Sequence, residues 1–442
     1  MKKLLRLIQR VLPSNAAEGR IGSIELNLWL AHLVGLPLVG LKPETPLQKL
    51  CIIAVGYPVV LAVWYYVFLE LYDLCLNWHD LDAMTQNLIL SFTHVAFLIK
   101  SCAAFIFVIY IFPLFHSVTL NVRFRLSLWR IMCYGTLKSI LQKLSEITRR
   151  CVLSERQLEA FQRAELKNKL ANLAYFYLVL TPGILSVVYI LTGSIWNGTR
   201  VIPAINMIYL AAPEEFAGNR FPYRAQMPHF LPRIVQSLYK GLGVSLLALQ
   251  TTTIDFLNIS VMGQICMHLQ VLSLAFEKLH DSSGIDAYSW LVATVKYHCE
   301  LILLRQQVER IFNLAVMLQF VSSVFIVAMT AFQVIVIGDG SKSSMIMNLM
   351  LCCVLCQLFM YCYFGNEVYE HSKSLSSAAF SCNWYSLDRR CKKTLLIFMV
   401  NADRLFLFTA GGFMGLTLPS FTYIISKSYS LVAVLRQMYS RS

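Results

Sequence analysis

Seven stretches of this chain are apolar over roughly 20 residues each, and that pattern limits its possible folds more than any other feature. A backbone inside a lipid core finds no water to bond, so such stretches must satisfy their own amides as helices. They cover residues 50–69, 88–112, 171–193, 241–276, 311–337, 343–365 and 405–426. Only Lys100 in the second and Asp255 in the fourth carry charge. Thr181-Pro182-Gly183 in the third is expected to kink its helix. At 1.5 Å per residue the fourth run is about 54 Å long, against a hydrocarbon core of about 30 Å. Its C-terminal part is therefore expected to project into water or a protein subdomain.

Composition agrees. Hydrophobic residues make up 57% of the 442, charged residues 14%, and mean hydropathy is +0.59. A soluble domain carries about a quarter charged residues, so the expected fold is all-α, a seven-transmembrane helical membrane protein. The net charge of +14 does not indicate nucleic acid, because the basic residues sit between apolar runs, where they set orientation. Twenty-eight Lys and Arg fall on the side of the N-terminus and seven on the other. The N-terminus is thus expected in the cytoplasm and the C-terminus outside, the reverse of a G-protein-coupled receptor.

The sequon Asn197-Gly198-Thr199 then lies in an outer loop, where Asn197 could be glycosylated. A second, Asn258-Ile259-Ser260, lies within a span and is discounted. The opening MKKLLRLIQRVLPSN is interrupted by Arg6, Gln9 and Arg10, so it reads as a basic amphipathic helix on the membrane surface rather than a signal peptide.

Polar residues inside spans are costly and often functional. Lys100 either snorkels to the interface or pairs with Asp255 across the bundle. His94 and His268 have no metal-like partners at helical spacing and are expected to be satisfied core histidines. Cys352, Cys353 and Cys356 read as small apolar residues, since zinc requires four converging ligands. No metal, cofactor or catalytic arrangement emerges, and an enzyme is not supported. Aromatics at 12% could line a pocket for small volatile molecules or simply pack the core.

Residues 362–399 carry Glu367-Val368 after the sixth span, then Trp384-Tyr385, Arg389-Arg390 and Leu395-Leu396-Ile397. Thr409-Ala410-Gly411-Gly412-Phe413 and Lys427-Ser428-Tyr429-Ser430 follow. This succession resembles the C-terminal region of insect odorant receptors. Upstream, Asp255 with Met267-His268-Leu269-Gln270 and the loop 203–226 resemble that family more weakly. Gustatory receptors share the fold but end differently from Ser428-Tyr429 and Arg436-Gln437 here.

The resemblance implies the odorant-binding subunit of a ligand-gated, non-selective cation channel in the plasma membrane of an olfactory neuron. It would assemble with the odorant co-receptor, as a heterotetramer, and bind a small volatile organic ligand. A homomeric gustatory-type channel and a small-molecule transporter remain alternatives. Four regions are implied: a cytoplasmic N-terminal segment (1–49), helices one to four with pocket elements and the outer loop 194–237 (50–276), helices five and six with cytoplasmic anchor segments (277–404), and a pore-lining last helix with an extracellular tail (405–442). Pocket candidates in the outer half are Phe92 and Val95 on helix two, Leu185, Val188 and Tyr189 on helix three, Leu247, Gln250 and Thr251 on helix four, and Met350, Leu351 and Val354 on helix six. Gln250 is the strongest polar contact.

Thr422, Ser426 and Ser430 recur every four residues and form one helical stripe. Taken alone, their hydroxyls bond back to the helix or aid close packing. The resemblance instead implies a water-facing stripe, with Val432, Leu435 and Arg436 near an apolar gate.

Overall fold

Long helices organise the molecule, and most of them outrun the apolar segments that announce them. The computed structural model describes residues 57–77, 140–147, 155–196, 233–277, 285–332, 342–403 and 406–439, with scattered positions among 23–30, 79 and 91–95. The major helices are α1 (Tyr57–Leu76), α2 (Glu155–Trp196), α3 (Arg233–Glu277), α4 (Ile285–Phe332) and α5 (Lys342–Phe380). A shorter helix α6 (Arg389–Ala402) precedes a two-stranded hairpin, β1 (Thr409–Ala410) with β2 (Met414–Gly415), and α7 (Leu418–Tyr439) ends the described chain.

The 42 residues of α2, 45 of α3, 48 of α4 and 39 of α5 correspond to about 58–72 Å each. An apolar run marks only the lipid-embedded part of a helix. Beyond it the chain stays helical because neighbouring helices bury its remaining face. By length and composition, Ser245–Phe276, Ala287–Phe332 and Leu351–Phe380 each suffice to cross a membrane. The surplus of α3 enters a helical subdomain: Phe276 meets Trp290 of α4 and Phe398 of α6 at centroid distances of 5.7 and 5.0 Å.

α6 shows why a polar sequence can still pack. Cys391, Leu395, Phe398 and Ala402 are buried along one face, while Leu396, Ile397 and Val400 are exposed on the other. Asp388 caps it, accepting the Cys391 N–H at 2.8 Å.

The seventh apolar run is not one helix. Expected over 405–426, helix begins only at Leu418, with Pro419 tolerated in its first turn. Gly411 and Gly412, at φ of +68° and +80°, turn the preceding hairpin. That hairpin is fastened to α4: Arg305 Nη1 donates to the Leu407 carbonyl (2.8 Å), Thr409 Oγ1 to Glu309 Oε1 (2.6 Å), and the Gly412 N–H to Asn313 Oδ1 (3.1 Å). Hydrophobicity alone cannot distinguish this turn from a spanning segment.

Polar side chains sew α2 to α3. Asn172 and Asn27 both donate to Ser260 Oγ, at 2.6 and 2.7 Å. The Ser23 N–H donates to Glu165 Oε1 at 2.6 Å, and Gln264 donates to the same carboxylate. Gly263 permits the close approach, since a Cβ there would stand 2.8 Å from the Asn168 amide.

Candidate functional site

Two regions are candidates, the exposed face of α7 and a seam between α2, α3 and α5 that lies at mid-depth and toward the cytoplasmic end of the apolar runs. In the seam, Tyr175, Phe176 and Val179 of α2 are buried with Phe256 of α3 and Cys353 of α5, flanked by Ala248, Leu249 and Cys356. Tyr175 and Phe256 meet edge to face at 5.4 Å. The Cys353 thiol reaches the Leu178 carbonyl at 3.6 Å. Cys352 is exposed, Cys353 buried and Cys356 half-buried, all three as free thiols.

Against this seam the sequence-selected residues divide. Leu247 is buried, in the main core cluster that includes Val63 and Val67 of α1. Gln250 is fully buried and Thr251 nearly so. The Thr251 hydroxyl donates to the Leu247 carbonyl at 2.8 Å, which spends its proton within the helix. Leu351 and Val354 are half-buried on α5, and Val95 is half-buried beside His94. Leu185, Val188 and Tyr189 lie on the outer part of α2 and Met350 on α5; Phe92, Lys100 and Asn197 lie outside the described residues. Phe176, Val179, Leu249 and Cys353 were missed. Their only signal is apolarity, which every neighbour shares.

Just beneath the seam, Asp255 joins three helices. Tyr361 Oη donates to its Oδ1 at 2.7 Å and Gln357 Nε2 donates to its Oδ2, while Gln319 Nε2 of α4 donates to Gln357 Oε1 at 2.9 Å. All four residues are buried, so each polar group needs its partner. The two histidines are also satisfied: His94 contacts Glu70, and His268 Nδ1 lies 2.7 Å from Tyr297 Oη.

On α7, Ile424, Ser428 and Val432 form the stripe turned into the protomer. Thr422, Ser426 and Ser430 lie on the exposed face, with Lys427 stacked on Tyr423 at 5.2 Å. Thr422 and Ser430 donate back to the Pro419 and Ser426 carbonyls, at 2.8 and 3.1 Å, yet their oxygens remain open to acceptance. Arg436 is also exposed. Val432, only 8% exposed, and half-buried Leu435 sit on the packed side. At 100° per residue Val432 is about 200° round from Ser430, so the hydroxyl stripe and Val432 occupy opposite sides of α7.

Comparison with known proteins follows this geometry. The family model described as 7tm Odorant receptor matches residues 106–429. Among curated relatives, Drosophila melanogaster odorant receptor 85c is 30% identical over 186 residues, covering 42% of this chain and 48% of that protein. Odorant receptor 85b of the same species is 30% identical over 191 residues, again covering 42% and 48%. The matched part thus spans about half the length of these relatives. The solved structure of the olfactory receptor OR5 from Machilis hrabei in complex with eugenol aligns over 94% of this chain and 97% of that one, with a TM-score of 0.73 at 16% identity. That likeness is one of fold, and it identifies the architecture as a seven-transmembrane helical membrane protein.

Proposed function

The chain belongs to the insect odorant receptor family, and from that premise we propose that it is the odorant-binding subunit of a ligand-gated, non-selective cation channel. It assembles with the odorant co-receptor in the plasma membrane of olfactory neurons, the outer parts of α2, α3 and α5 hold a small volatile ligand, and α7 contributes to a shared pore. The observation that carries this reading is the exposed face of α7. A 22-residue helix is long enough, at about 33 Å, to cross the hydrocarbon core. One side of it, bearing Thr422, Ser426 and Ser430, is exposed. Hydroxyls on a spanning helix suit a water-filled path, and a path shared among subunits leaves each copy incomplete alone.

Val432 and Leu435 would act on such a gate through the packing that orients α7. In the ligand site, apolar side chains on the outer parts of α2, α3 and α5 supply dispersion, and Gln250 one directional polar contact. Opening follows when odorant binds the open state more tightly than the closed one.

The test is whole-cell recording from cells expressing this chain with and without the co-receptor, against a panel of volatile compounds. Odorant-evoked cation current only on co-expression supports the proposal. Current from the chain alone favours a homomeric gustatory-type channel. Uptake of ligand without channel openings favours a transporter.

A further inference from the structure

Where α3 and α5 leave the membrane on the cytoplasmic side, two helical turns face each other with an uncommon set of side chains. α3 presents Cys266 and Gln270; α5 presents Glu367 and His371. Each pair is spaced i, i+4, so both members project from one face of a straight helix. Ligand atoms of Cys266, Glu367 and His371 all lie within 4.8 Å of one another. From this geometry we propose that the cluster is a zinc-binding site that ties α3 to α5.

The donors suit that ion. A thiolate, an imidazole and a carboxylate together select a borderline-soft divalent cation, and three such ligands leave a fourth tetrahedral position. Gln270 already lies against the imidazole, 2.7 Å between its Nε2 and His371 Nε2. Turned over, its amide offers a carbonyl oxygen at the same place. Lys167 Nζ holds Glu367 Oε2 at 2.8 Å and lies 4.8 Å from the centre of the Tyr363 ring. The carboxylate is thereby oriented from outside, as ligating groups in metal sites commonly are, with Oε1 turned to the metal.

Depth places the cluster within cytoplasmic reach. About 20 residues cross the core, so a helix entering near residue 241 has left it by about 261, and one entering near 343 by about 363. Cys266 lies beyond the first point, Glu367 and His371 beyond the second, and Lys167 precedes the third apolar run. Glu367 and His371 are only partly buried, which leaves an entry path. A metal held from both helices fixes their mutual register, and zinc then favours whichever channel state keeps that register. The thiol must lose its proton to bind, so affinity falls as pH falls.

The site can be tested on the purified full-length protein, in lipid–detergent micelles, under reducing conditions and without a polyhistidine tag. Co2+ titration should produce a thiolate-to-metal charge-transfer band at one metal per chain, and Zn2+ should displace it. Cys266→Ser should abolish the band. His371→Ala and Glu367→Gln should each weaken Co2+ binding by about tenfold or more, while elution volume matches the parent and metal-free Glu367→Gln shows only the small loss of its ion pair with Lys167. Zn2+ should raise the melting temperature of the parent alone. The proposal is overturned if the parent shows no band, or if the band survives Cys266→Ser and so belongs to another thiol. Equal affinity in His371→Ala and the parent would also overturn it. None of these readouts requires channel current, so they stand apart from the test of odorant gating.

Discussion

Replacing Asp255 by leucine gives the most informative perturbation of the bundle. The carboxylate accepts from Tyr361 Oη at 2.7 Å and from Gln357, both buried. Leucine leaves two donors without an acceptor in a site closed to water, and each such group costs about 1–3 kcal/mol. The gross loss is about 2–6 kcal/mol, offset in part because an acidic side chain no longer has to be desolvated. A net loss near 3 kcal/mol corresponds to a shift of about 150-fold in the folding equilibrium. Thermal unfolding read by a thiol-reactive fluorophore suits this chain, whose Cys266, Cys353 and Cys362 are buried free thiols.

The decisive comparison adds Gln357→Leu and Tyr361→Phe to the same chain. If the cost arises from orphaned donors, the triple variant should recover part of the stability that Asp255→Leu loses, short of full recovery because Gln357→Leu takes the acceptor of Gln319 Nε2. A triple variant less stable than the single one would refute the reasoning, because the cost would then lie in volume and packing.

Other substitutions probe other contacts. Gly365→Ala would put a Cβ 2.4 Å from the Leu416 carbonyl oxygen, and should cost about 1–3 kcal/mol and lower surface expression. Cysteine at Ser426 or Ser430 should react with an externally applied methanethiosulfonate and alter current, whereas cysteine at Ser428, 1% exposed, should react slowly; equal rates would remove the assigned face. Burial pulls the Lys167 pKa down, but the hydrogen bonds to Glu367 and Tyr363 and the Glu367 charge outweigh it and leave the value above 10.5. The ion pair therefore stabilises fully below pH 10.5 and fades as pH rises through the higher folded value. With Lys167 half exposed, Glu367→Gln should cost under about 1 kcal/mol at neutral pH and nothing once the lysine is neutral, measurable by melting at pH 7 and 11. The thiol of Cys391, then its N–H, holds the Asp388 carboxyl below its usual range, so loosening of α6 by Asp388→Ala should be full at neutral pH and disappear in acid, by circular dichroism.

Class and topology were legible in the chain itself. Lipid accepts only internally bonded backbone, so 20-residue apolar runs specify helices without knowledge of their neighbours. The balance of Lys and Arg likewise indicates orientation through local counts alone. The family likeness lay in consecutive residues, such as Trp384-Tyr385 and Lys427-Ser428-Tyr429-Ser430, and needed no coordinates.

Helix ends, faces and sites belonged to the tertiary structure. The extension of α4 back to Ile285 depends on burial against other helices, which hydropathy does not encode. The hairpin at 409–415 is as apolar as a spanning segment although it is only fastened along α4, so the same composition served a turn and a span. Thr422, Ser426 and Ser430 could be assigned to one stripe from their spacing, and the same helical period sets Val432 opposite them, but only packing decided which of the two sides is exposed. Cys266 and His371 are 105 positions apart, with no motif between them. What brings them together is the parallel contact of α3 with α5, a property of the folded bundle that no local stretch of sequence carries.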